Sequence, residues 1–166
     1  MKDRKYIINK SMFETKNRHL ISKQAIQLAV NSLPGSVDMD LVTGYKSPYH
    51  LEWNNLKFLV KIANQTMKQW TGRYEWYYSL RKKDHEVADY FLLFALKESV
   101  IQGIYVIPKF FVPTSCITIS KMNGNVRYDY FRTTIDDLPE KIIEIQKKLP
   151  KLIKLYREAK SLKGAE

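Results

Sequence analysis

The chain is poor in cysteine, with Cys116 alone among its 166 residues, so no intrachain disulfide can form. A zinc site needs clustered thiolates and imidazoles, yet His19, His50 and His85 are scattered and none has Cys/His ligand spacing. No stretch approaches the ~20 consecutive apolar residues of a membrane span. The opening MKDRKYIINKSMFETKNRHL is charged and lacks the apolar centre of a secretory signal, which points to the cytoplasm. There is no internal repeat and no low-complexity tract. Acid is also scarce: 17 Asp and Glu face 28 Lys and Arg, leaving a formal charge of +11.

What is present is apolar mass and positive charge. At 45% hydrophobic and 13% aromatic, the chain can bury a sizeable core, and its length fits one domain over 1–166. The charge surplus attracts polyanions through counterion release, so nucleic acid is the first partner class and a membrane surface its main competitor. The cations concentrate at the two ends. Seven lie within a basic N-terminal segment and its edge, residues 1–23, and seven within 147–163, where only Glu158 opposes them.

Between these ends the patterning alternates between helix and strand. Ser22 is a plausible cap for a helix through Leu33, with Ile21, Ala25, Leu28 and Ala29 on one face, and Pro34-Gly35 ends it. SVDMDLVTG then alternates, with Asp38 and Asp40 on one side of an expected strand. A turn over 45–48 leads to YHLEW and LKFLVKIA, which flank Asn54-Asn55, a dipeptide suited to a hairpin. On the second strand Lys57, Leu59 and Lys61 share one face.

Residues 64–73 read as an exposed connection, YEWYYSL as an aromatic strand, and RKKDHE as a charged turn. The tyrosines and tryptophan of 74–78 suit a packed interface more than base stacking. ADYFLLFAL and IYVIP read as buried strands, with Asp89 as a cap or ion-pair partner. CITIS, the Asn123-Gly124 turn and VRYDYFRT suggest a further strand or hairpin. From 136 onward, Leu138, Ile142, Ile145, Leu149, Leu152 and Tyr156 recur at helical spacing, with Pro150 expected to kink or split the helix. The fold class is therefore α/β, a central mixed β-sheet flanked by helices, with a core over 21–135 and a C-terminal amphipathic helix over 136–163.

This order of elements resembles the PD-(D/E)XK nuclease superfamily, the restriction-endonuclease-like fold, over residues 21–135. VDMDLV looks like the strand presenting the first metal-binding Asp, and FLVKIA like the strand bearing the catalytic Lys. The resemblance implies a Mg²⁺-dependent endonuclease acting on DNA, possible as a homodimer so that two strands are cut. In such chemistry carboxylates hold Mg²⁺, which activates a water, and a lysine stabilises developing charge.

The residues so implied are Asp40 as first metal ligand, Asp38 as its alternative, and Lys61 as catalytic lysine. The second acid, expected two residues before the lysine, is replaced by Leu59. Glu52 is the best substitute ligand and Glu75 a weaker one. The family's helical Glu is not evident, since the first helix offers Gln24 and Gln27, leaving Glu14 upstream. Phosphate contacts are expected from Lys57, Lys68, Arg73, Arg81, Lys82, Lys83, Lys147, Lys151 and Lys154. Two other readings accompany this one. The first is a nuclease fold that has lost catalysis and only binds nucleic acid, and the second is a basic domain for an acidic protein partner.

Overall fold

Nine strands and four α-helices organise the described residues of the computed structural model, which are 18–44, 47–120 and 127–164. They follow as α1 (Arg18–Ser32), β1 (Val37–Asp38), α2 (Met39–Thr43), β2 (Leu51–Trp53), β3 (Leu56–Asn64), β4 (Thr66–Lys68) and β5 (Arg73–Ser79). Then come α3 (Lys82–Val87), β6 (Tyr90–Lys97), β7 (Val100–Pro108), β8 (Cys116–Ser120), β9 (Arg132–Thr133) and α4 (Leu138–Lys163). The larger sheet is mixed, in the order β1-β2-β3-β6-β7-β9, and only β3 and β6 run parallel. The smaller sheet is antiparallel, in the order β4-β5-β8.

The apolar run of β6 is central because it is sealed on both faces: every residue from 90 to 96 is buried. β3 beside it buries Phe58, Leu59 and Val60 in succession. Asn54 and Asn55 take positive φ at the β2–β3 turn, as the dipeptide predicts, and register Trp53 against Leu56. The two sheets are tied where the Trp76 indole N–H donates to the Leu96 carbonyl at 3.0 Å. α1 packs on β1 and β3 through Ile21, Ala25 and Ala29, while α4 buries only Leu138, Ile142 and Ile145. Among the described residues no helix is long and apolar enough to cross a membrane.

Several expectations are corrected. Ser22 lies inside α1, which starts at Arg18. The alternation of 36–44 yields two strand residues before α2 begins, because the Asp38 side chain accepts the N–H groups of Asp40 and Leu41 at 3.0 and 3.3 Å. Gly44, at φ 65°, closes that short helix in the left-handed conformation. Asp40 therefore sits on a helical turn, not a strand. The connection at 64–73 contains β4, and RKKDHE is the helix α3 rather than a turn.

CITIS forms the strand β8, which pairs with β5, and the described residues 127–133 do not pair with it. They form a 3₁₀ turn at Asp129–Phe131 and then β9, which joins the other sheet beside β7. α4 runs unbroken through Pro150, whose position is exposed, so water can satisfy the carbonyl that loses its helical donor. Residues 1–17 with Glu14, part of the 45–48 turn, and Asn123-Gly124 lie outside the described residues.

Candidate functional site

Lys61 projects from β3 toward α3, the short helix that opens the return of the chain to β6. Its Nζ stands 3.3 Å from Asp84 Oδ2. Arg81 grips the same carboxylate, its Nη2 lying 3.0 Å from Oδ1 and its backbone N–H donating to Oδ2 at 3.0 Å. Asp84 is thus both the partner of two cations and the carboxylate that caps α3. Its side chain is 1% exposed, against 27% for Lys61 and 60% for Arg81. Burial pushes its pKa up, but the hydrogen bonds from Arg81 and the Lys61 charge outweigh this and hold it below the ordinary carboxylate value.

His50 occupies the neighbouring corner, between α2 and β3. Its backbone N–H donates to the Phe58 carbonyl at 3.0 Å, and its own carbonyl accepts the Met39 N–H at 3.0 Å. Its ring Nδ1 accepts the Val60 N–H at 2.8 Å, which requires that nitrogen to be unprotonated. Burial lowers the His50 pKa, with Lys61 adding to the fall while Asp40, Asp84 and Asp38 oppose it. One imidazole therefore senses all four charged groups, and it is no ordinary surface histidine. His85 is likewise engaged, with Nε2 2.8 Å from the Val112 carbonyl and its ring 6.1 Å from that of Phe91.

The acids assigned from sequence are occupied in other ways. Asp38 caps α2, and Asp40 Oδ1 accepts the Ser47 N–H at 2.7 Å, fastening the far side of that turn. Glu52 accepts from the Tyr49 hydroxyl at 2.9 Å and stands opposite Lys57. Lys57 is four positions, or about 13 Å of strand, from Lys61, so Glu52 does not join it. Glu75 is in the other sheet, paired with Lys68 at 3.0 Å. Asp89 accepts the Lys57 N–H at 2.9 Å and so stitches β3 to the start of β6.

Leu59 is core, 2% exposed. Among the described residues no three His, Cys, Asp or Glu side chains are grouped so as to hold a metal ion. Asp38, Asp40 and Glu52, the ligands that the resemblance implies for Mg²⁺, therefore form no such group.

Of the cations expected to meet phosphate, Lys57 lies over the Tyr49 ring at 5.4 Å, Lys68 is paired with Glu75, and Arg81 with Asp84. Arg73, Lys82, Lys83, Lys147, Lys151 and Lys154 are exposed, the last 3.9 Å from Glu158. Sequence reasoning missed Asp84 and His50. The signal for Asp84 was a single acid after three cations, R-K-K-D, a pattern fit to open a helix. For His50 the sequence carries no such signal.

A scan against protein-family models finds no match, and neither does a search of curated proteins. A search of solved structures finds similarity to a bacterial homing endonuclease, at 18% identity and a TM-score of 0.47, covering 85% of this chain and 98% of that one.

Proposed function

We propose that this chain binds nucleic acid, DNA in the first place, through exposed cations and without needing a divalent metal. The observation that carries this reading is the engagement of Lys61 by a buried carboxylate that Arg81 also holds, beside a leucine that fills core. Such a lysine braces the sheet to α3. The exposed charge lies elsewhere, on Lys82 and Lys83 and along α4 at Lys147, Lys151 and Lys154. Cations of this kind bind phosphate by releasing counterions, with no demand for a metal. Titrating a short fluorescent duplex in chelator and in Mg²⁺ tests this. Equal affinities that weaken steeply with salt are expected, and loss of binding in chelator contradicts the reading.

A second reading, a Mg²⁺-dependent endodeoxyribonuclease using Asp40 and Lys61, is favoured by one observation. His50 joins the two segments, its carbonyl accepting the Met39 N–H next to Asp40 and its Nδ1 accepting the Val60 N–H next to Lys61. Plasmid cleavage in Mg²⁺ that disappears in Lys61→Ala supports this second reading. Plasmid left intact by the wild type sinks it.

A further inference from the structure

The β4–β5 hairpin carries a feature that folding does not account for. Trp70, at its tip, is 94% exposed, while the other two tryptophans, Trp53 and Trp76, are buried. Met67 and Tyr74, which face each other across the two strands, are half exposed on the stem below it. A tryptophan held in water forgoes the burial that makes the residue stabilising, so an exposed aromatic tip marks a surface built for contact.

The loop that presents Trp70 is ordered by its backbone. The N–H groups of Thr71 and Gly72 both donate to the Lys68 carbonyl, at 3.2 and 2.9 Å, and Gly72 takes φ 62°, which a side chain would oppose. The Lys68–Glu75 pair at 3.0 Å links the two strands of the stem, and the Trp76 bond to the Leu96 carbonyl ties β5 to the larger sheet. Between 67 and 74 there are two cations, Lys68 and Arg73, and no acid. The occupant that matches an aromatic tip between cations is a polyanion with stackable faces.

We propose that this hairpin is a DNA-contacting ribbon. It enters a groove of the duplex, Trp70 wedges against a base step, and the exposed Arg73 meets a flanking phosphate. A two-stranded ribbon has the width for the major groove, and inserted apolar side chains unstack base steps. The inference rests on the nucleic-acid reading above and adds the contact that reading leaves unassigned.

Tryptophan emission tests it directly, because the two buried indoles are shielded and the exposed one dominates any change. Duplex carrying 2-aminopurine is titrated into wild type and Trp70→Ala, with affinity measured separately by anisotropy. The expected result is quenching of Trp70 emission that tracks binding, brighter 2-aminopurine, and an affinity about tenfold weaker in the variant, whose melting temperature is unchanged. Wild type that binds duplex with unchanged emission, and a variant of equal affinity, overturn the ribbon and leave the binding reading standing. Absence of duplex binding by either protein overturns both. Self-association of the wild type that Trp70→Ala abolishes also overturns the ribbon, since the tip then serves a second copy of the chain.

Discussion

Lys61 on β3 and Lys154 on α4 each stand beside a carboxylate, 3.3 Å from Asp84 and 3.9 Å from Glu158. Around Lys61 the carboxylate is sealed from water, shared with Arg81, and used to start a helix. Around Lys154 both side chains are more than half exposed. The first lysine is part of the architecture, since its charge balances one the fold has buried. The second is screened by solvent and salt and remains available to an external anion. The same distinction separates two regions of the molecule. One is the sheet that carries the acids, where nearly every charged group has an internal partner. The other is the stretch 147–163 of α4, which has seven cations, one acid and no buried residue.

The comparison breaks first at Asp84. Asp84→Ala removes the acceptor of the Arg81 N–H and leaves two cations without their carboxylate. Sealed pairs lose ~3–5 kcal/mol when one partner is removed. Here Lys61 and Arg81 reach water and can be resolvated, so a loss of about 2 kcal/mol is expected by urea denaturation, including about 1 from the cap. Glu158→Ala on α4 should change stability by less than about 0.5 kcal/mol in the same assay. Equal losses at the two sites would erase the distinction.

A smaller effect comes from His50. Its folded pKa lies below the unfolded value of about 6.5, so on acidification the unfolded chain takes up the proton first. Stability should therefore fall as the pH drops from 7 toward 5. Asp84 behaves differently: its pKa is depressed in the fold, so its contribution is complete above the ordinary carboxylate pKa and is lost only below about pH 4. His50→Gln, whose amide oxygen can accept the Val60 N–H, should flatten the pH 5–7 slope and leave the acid limb intact.

Long periodic segments were legible from sequence because burial decides them. The apolar run of β6, the Asn-Asn hairpin and the spacing of Leu138, Ile142 and Ile145 each point to one structure. The short helices were not, since α2 and α3 are decided by single side chains at their starts. Asp38 at a cap outweighs the alternation around it, and a cap of that kind followed by Gly44 was readable as a start and a stop. At the site, the placement of Lys61 on a strand, two residues after Leu59, was legible. Its pairing with Asp84 was not, because the contact exists only once β3 and β6 lie parallel and α3 closes between them. The nine cations expected to meet phosphate looked alike in sequence, and their exposure and partners sort them.

The most direct measurement of the account is the salt dependence of duplex affinity in three proteins: wild type, Lys61→Ala, and the triple variant Lys147→Gln, Lys151→Gln, Lys154→Gln. If α4 holds phosphate, the triple variant loses affinity and its log–log slope shrinks by about 2.7, or 0.9 for each contact removed. Lys61→Ala should keep the wild-type slope. A triple variant that matches wild type while Lys61→Ala loses binding would contradict the account.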